Sequence, residues 1–429
     1  MRLLHARLVF AILFLIPAPS FAQNAQPMTL KEAEQIAIQN HPQIQAATNL
    51  AAAARAQVKE VRSEYYPQAY GSATGAVAEN DSRIAAGGLN NSIVYDRYAN
   101  GVTVNQLVSD FGRTHELAKS SNLHAQAQQE NVTTTRADVL LQVDQAYFGV
   151  LREKAVLQVA QETVKNRQLV ADQVSALAKN QLKSTLDVSF ANVNLAQARL
   201  LLVQAQNDLQ ASYAELSTAL GYGDQRTIEP AEEPMPSAPP ADFSQLIQQA
   251  LRDRPELIGQ RLDVNSAKSY ATAERDLWMP TISAVGTAGL VPYREEELAS
   301  RYAAAGFNVN IPIFNGHLYG ALRNEADARA RAQEQYLRDL QNRIVRDVRA
   351  SWLTANSGFQ RLSLTDQLLQ EATQALDLAQ ARYKLGLGSI VELSQAQLGI
   401  TEAQIEQASA KYDYQLQLSV LNYQLGALH

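Results

Sequence analysis

Cysteine is absent from all 429 residues. That excludes disulfides, thiolate metal ligands, iron–sulfur clusters, thiol catalysis and an anchor built on a lipidated cysteine. Histidine is scarce: His5, His41, His115, His124, His317 and His429 are all there are, and no two stand three or four residues apart. A helix-borne pair of metal ligands is therefore missing, and no resident metal or cofactor is expected. Basic charge is also in short supply, with 37 Lys and Arg against 43 Asp and Glu and a net charge of −6. Such a chain lacks the clustered cations that nucleic-acid binding needs. Aromatics make up 7 % of residues. Apolar runs long enough to cross a bilayer as a helix, about 18 residues or more, do not occur. What is plentiful is Ala beside Gln, the makings of long helices packed side by side.

The first 22 residues read as an address. Arg2 and Arg7 precede the apolar run Leu8-Val9-Phe10-Ala11-Ile12-Leu13-Phe14-Leu15-Ile16, and Ser20 and Ala22 stand at −3 and −1 of a cut before Gln23. This is the tripartite pattern of a secretory signal peptide. Without it the chain carries a charge of about −8, since Arg2 and Arg7 leave with it.

The remainder is written twice. Gly221 and Gly426 each close a helical run, and the same offset of 205 residues pairs Val143 with Val348, Tyr147 with Trp352, Asp187 with Glu392, Ala191 with Ala396 and Gly101 with Gly306. Upstream the offset is 213, matching His41-Pro42-Gln43-Ile44 to Arg254-Pro255-Glu256-Leu257 and Tyr66-Pro67 to Met279-Pro280. The eight-residue difference places a longer loop between Pro67 and Gly101. The organisation expected is a signal peptide at 1–22, one repeat at 23–223, a Pro-rich linker at 224–242 and a second repeat at 243–429. Each repeat reads helix, strand, loop, strand, very long helix, tight turn, helix. The segment from His115 to Ala178 has no proline and only Gly149, so it extends about 95 Å as a helix. Leu369, Ala372, Leu376, Ala379 and Tyr383 mark a heptad-like seam, and Val139, Val143, Tyr147 and Val150 begin a matching stripe.

The strands carry a different signal. In Phe307-Asn308-Val309-Asn310-Ile311-Pro312-Ile313 apolar side chains alternate with Asn, and Val102-Thr103-Val104-Asn105-Gln106 repeats this more weakly. Tyr65, Tyr66, Phe111, Trp278 and Phe314 cluster at one end of the strands; Tyr95, Tyr98, Tyr293 and Tyr302 cluster at the other. Alternation with aromatic ends is the mark of transmembrane β-barrel strands. Ala69-Tyr70-Gly71-Ser72-Ala73-Thr74-Gly75-Ala76 is too bland to decide. Four strands cannot close a barrel, and lipid does not tolerate open edges, so several chains must each supply four. Three copies would give about twelve strands.

Four motifs on this repeated frame resemble the TolC-like outer-membrane efflux proteins, in their non-lipidated branch. They are Leu30-Lys31-Glu32-Ala33 running into Asn40-His41-Pro42; Tyr65-Tyr66-Pro67 with its echo Leu277-Trp278-Met279-Pro280; Asn105-Gln106-Leu107-Val108-Ser109-Asp110-Phe111-Gly112-Arg113; and the segment from Arg382 to Gln397. The resemblance implies a mostly helical fold with membrane β strands: a homotrimeric helical tunnel continuous with an outer-membrane barrel, set in outer-membrane lipid and reaching into the periplasm. It implies the outer-membrane channel of a tripartite efflux pump or type I secretion system, working with a periplasmic adaptor and an inner-membrane transporter. No enzyme motif competes: there is no P-loop, no Gly-x-Ser-x-Gly elbow and no His-Glu-x-x-His. The alternative reading is a soluble periplasmic coiled-coil adaptor or structural protein, which accounts for the helices but not for the Asn-alternating strands.

By the same resemblance the two tight turns form a periplasmic tip. Glu392 matches the family's pore-facing acid, while Gln395 replaces its second acid. Tyr383 and Asp187 match a closed-state pair joined by a phenol–carboxylate bond, worth about 1.5–3 kcal/mol if shielded. The family's basic lock position falls on Gly388. Leu385, Gly386 and Leu387 resemble the tip motif offered to adaptor hairpins, and Asn180, Gln181 and Leu182 are their counterparts in the first repeat. Near Gln181, Asn180 is the residue that best tolerates a left-handed conformation.

Overall fold

The computed structural model describes residues 27–79, 95–294, 296 and 298–428. The expected signal peptide, and most of the longer loop between the first two strands, lie outside these residues. Each half runs through the same elements. The first comprises α1 (Leu30–Asn40), α2 (Pro42–Arg62), β1 (Gln68–Ala76), β2 (Arg97–Ser109), α3 (Arg113–Lys179) and α4 (Thr185–Ala219). The second comprises α5 (Phe243–Asp253), α6 (Pro255–Arg275), β3 (Thr281–Arg294), β4 (Arg301–Asn310), α7 (Leu318–Lys384) and α8 (Ile390–Gln424). The helices of the halves coincide residue for residue at the two sequence offsets. At 67 residues, α3 and α7 are each about 100 Å long.

The single helix expected before the first strand of each repeat is two helices. Thr29 opens α1 with a capping box closed by Glu32. Pro42 then lacks an N–H and forces His41 into extended backbone, φ −70 and ψ 124, so the chain breaks and restarts. The His41 ring accepts from the Gln43 N–H and caps α2. Pro255 repeats the break in the second half.

The strands form one antiparallel sheet in the order β1-β2-β3-β4, so the two halves meet at β2–β3 and, among the described residues, both outer strands have an unpaired edge. The pairing register settles what the bland first strand could not. Directly paired residues share a face, which puts Ala69 and Gly71 with Val102 and Val104, with Ala284 and Ala288, and with Ala303, Ala305 and Phe307. The opposite face carries Gln68, Ser72, Thr103, Asn105, Ser283, Thr287, Asn308 and Asn310. Thr103 and Thr287 share a hydrogen bond across it at 3.2 Å. One side is mainly apolar, Gln106 being an exception, and the other mainly polar, with Val285 and Leu107 among its polar residues. The aromatics divide as expected: Tyr98 pairs with Tyr293 at the far end, and Tyr65, Tyr66, Trp278, Phe111 and Phe314 lie where strands meet helices, all exposed.

Buried apolar side chains form separate clusters rather than one core. Val143, Tyr147 and Leu216 centre one at the waist of the first half, and Val348, Leu421 and Leu257 centre its counterpart. The linker is strapped to this waist. Tyr147 donates to the carbonyls of Met28 at 2.9 Å and Ala231 at 2.7 Å, and Trp352, its equivalent in the second half, donates to Pro240 at 2.7 Å. Tyr412 bonds Glu232 and Tyr414 bonds the Ser237 carbonyl. A third cluster joins α3, α4, α7 and α8 near the turns through Val174, Leu195, Ala379, Tyr383 and Leu393. Of the seam from Leu369 to Tyr383, Leu376, Ala379 and Tyr383 belong to this cluster, and burial increases toward the turn.

Candidate functional site at the helical tip

Both hairpins end in the same turn. Leu182 N–H bonds the Leu177 carbonyl at 2.9 Å, and Leu387 N–H bonds that of Arg382 at 2.8 Å. This six-to-one closure demands a left-handed residue just past the helix end. Gly386 supplies it at φ 74, and Gln181 at φ 59. Asn180, expected in that role, instead has φ −94 and donates its amide to the Ala176 carbonyl at 2.9 Å. Closure geometry selects the position, at a cost of about 1–2 kcal/mol for a residue with a Cβ. The tip leucines are uncovered: Leu182, Leu385 and Leu387 are 68 %, 74 % and 67 % exposed.

Behind the second turn, Ser389 accepts from the Glu392 N–H at 3.1 Å and starts α8. The Glu392 carboxylate accepts from Arg382 Nε at 2.8 Å, and Arg382 Nη2 also donates to the Leu387 carbonyl at 3.1 Å. Gly388 lies under this pair; a Cβ there would stand 3.1 Å from both Arg382 Cβ and Glu392 Oε2. A basic group, Arg382, thus stands over Gly388 from six residues earlier. Gln395 lines the same face as Arg382 and Glu392, among Ala372, Ala375 and Ala379.

The expected bond between Asp187 and Tyr383 is not made. The Asp187 carboxylate accepts from the Ser184 N–H at 3.1 Å, while Ser184 Oγ accepts from the Asp187 N–H, so this acid is occupied in capping α4. The Tyr383 ring is buried and its hydroxyl has no hydrogen-bond partner. Burial, aided by the charge of Asp187, pushes the phenol above its ordinary pKa. The two hairpins are tied by other side chains: Lys183 Nζ sits 3.9 Å over the Tyr383 ring and donates to the Tyr383 carbonyl at 3.3 Å, and Asn194 donates to Ser394 Oγ at 2.7 Å. Lys183, Asn194, Ser394 and Arg382 carry no local sequence signal, because each acts across a turn or between halves. Among the described residues no cluster of His, Asp or Glu suits a metal ion, and no helix is long and apolar enough to cross a membrane.

The family model for outer membrane efflux proteins matches twice, at residues 34–222 and 246–427. The outer membrane protein TolC of Escherichia coli is 23 % identical, covering 97 % of this chain and 86 % of that protein. The alkaline protease secretion protein AprF of Pseudomonas aeruginosa is 23 % identical over 100 % and 89 % of the two chains. The crystal structure of the outer membrane protein VceC of Vibrio cholerae superposes with a TM-score of 0.79 at 17 % identity, over 92 % and 96 %. The alternative of a soluble adaptor falls with the family match. The chain belongs to the outer membrane efflux protein family and is an outer-membrane channel protein.

Proposed function

We propose that three copies assemble into one exit duct, each giving four strands to an outer-membrane barrel and its long hairpins to a periplasmic tunnel. The observation that carries this reading is the sheet: one face apolar, one polar, with both edges unpaired. In lipid such edges must be closed by neighbouring copies, and the polar face then lines the lumen. Residues 1–22 export the chain as a signal peptide, and 23–223, 224–242 and 243–429 act as repeat, linker and repeat. The duct takes substrate from an inner-membrane transporter through a periplasmic adaptor, which docks on Leu385, Gly386 and Leu387 and on Asn180, Gln181 and Leu182. Glu392 and Gln395 face the pore at its narrow tip, and Asp187 and Tyr383 belong to the contacts of the closed state. The chain conducts and does not catalyse.

Crosslinking of the detergent-extracted protein, followed by planar-bilayer recording, tests the assembly. A trimer with discrete single-channel steps is expected; a monomer that inserts no conductance overturns it.

A further inference from the structure

Beside the tip, a cavity of about 450 Å³ opens between α3 and the α7–α8 hairpin. Two groups in its wall are buried without the partner their chemistry requires. Arg167 is 8 % exposed, yet its Nη2 donates only to neutral oxygens, the Gln397 carbonyl at 2.5 Å and Thr401 Oγ1 at 3.2 Å. Among the described residues no carboxylate pairs with it, and burial alone pulls its guanidinium down to about 10. Tyr383 is 6 % exposed with an unpartnered hydroxyl. Lys183 and Lys384 also line the cavity, and no Asp or Glu does. Between these groups the walls are mixed: Val170, Leu376 and Ile400 give an apolar strip beside the amides of Asn166, Gln173 and Gln380. A guanidinium held out of water without a counter-ion is a standing demand for an anion.

We propose that this cavity binds a small organic anion, a carboxylate carried on an apolar body, with Arg167 as its counter-ion. The carboxylate accepts from the guanidinium, the apolar body lies along Val170, Leu376 and Ile400, and Lys183 and the Tyr383 hydroxyl add positive charge and a second donor. Because its walls come from both hairpins, a bound anion fastens them together and holds the tip closed. That consequence rests on the gate reading; the binding itself does not.

The probe is 2-naphthoate, titrated calorimetrically into the full-length protein in lipid nanodiscs, with the neutral 2-naphthamide as its isostere. Saturable binding at one naphthoate per chain is expected, with the amide and Arg167→Met each weaker by about tenfold or more, the loss of a charge-assisted contact. Lys183→Gln weakens it by about threefold, a screened charge–charge contribution. Arg361→Gln, a surface arginine of α7 paired with Glu406 of α8, leaves it unchanged. Should Arg167→Met fail to assemble, the amide comparison and Lys183→Gln decide. Equal affinity for naphthoate and naphthamide, wild-type affinity in both charge variants, or no binding of naphthoate overturns the proposal. Bilayer conductance without naphthoate reports on the channel reading separately.

Discussion

Arg382 determines how much charge Glu392 presents to its surroundings. The pair is about half exposed, so its direct contribution to stability is under about 1 kcal/mol. Its electrostatic effect is larger, because a carboxylate with a guanidinium 2.8 Å away carries little net field. With Gln395 uncharged as well, the proposed pore ring is close to neutral in this conformation. In bilayers under a KCl gradient, Arg382→Gln is expected to shift the reversal potential toward cation selectivity and Glu392→Gln to shift it the other way, the double variant falling between. An Arg382→Gln channel with wild-type reversal potential would show that the pair does not face the ion path. Glu392 was legible as a tip acid from its motif alone; the Ser389 cap that holds it was not. Arg382 was not, since its reach to Glu392 depends on a turn whose path is set by Gly386. Asp187 was legible as an acid at the tip, but its carboxylate serves its own helix, a competition that residue matching does not reveal.

At the scale of elements, the sheet shows why alternation was readable on β4 and not on β1. An Ala- and Gly-rich strand has no amphipathic contrast of its own, and its faces are fixed only by which residues of β2 it pairs with. The same small residues have a use in packing. Tyr302 on β4 lies opposite Gly289, which lies opposite Gly101, all on the polar face. A Cβ at Gly101 would stand 2.2 Å from Tyr302 Oη, and one at Gly289 would stand 2.5 Å from it and 2.3 Å from the Asn100 carbonyl oxygen. The ring thus spans β3 and β2 in the place of two missing side chains, pinning the register across the junction of the halves. Gly289→Val clashes with backbone as well as with the ring, so it is expected to lower the yield of heat-resistant oligomer on gels and to raise protease sensitivity of the strands. Tyr302→Ala should do the same more mildly; unchanged assembly in Gly289→Val would remove the pinning role. The length of α3 was legible in the sequence, because an uninterrupted segment without proline sets it; the break of the first helix at Pro42 was not. The ties between halves were not, being contacts of high sequence separation.

Across the whole molecule the duplication builds two similar waists, and a buried acid is one of the differences between them. Asp144 on α3 is 2 % exposed with one carboxylate oxygen unpartnered, whereas its equivalent on α7 is Arg349, held 5.1 Å from the Phe243 ring. Glu34 lies beside Asp144, and its equivalent is Ile247. Burial, opposed by a hydrogen bond from Ser419 and reinforced by the charge of Glu34, pushes the Asp144 carboxyl up to about 7. Burial raises Glu34 as well. A carboxyl whose folded pKa is raised keeps its proton in the folded state after the unfolded chain has lost it. Stability is therefore fully present below the unfolded value of about 4, drains as pH rises toward the folded value, and is level above it. Asp144→Asn replaces the protonated acid by a neutral group of nearly the same shape and removes that loss. Its gain over wild type should be about 1.5 kcal/mol at pH 5 and about 4 kcal/mol at pH 8 for this one residue, read as a rise in the midpoint of helical unfolding by circular dichroism. The difference between the two pH values is the decisive quantity, because the carboxylates other than the neighbouring Glu34 titrate alike in both proteins. Equal shifts at pH 5 and pH 8 would mean that Asp144 is ionised in the folded waist, and that Ser419 and solvent compensate for its burial.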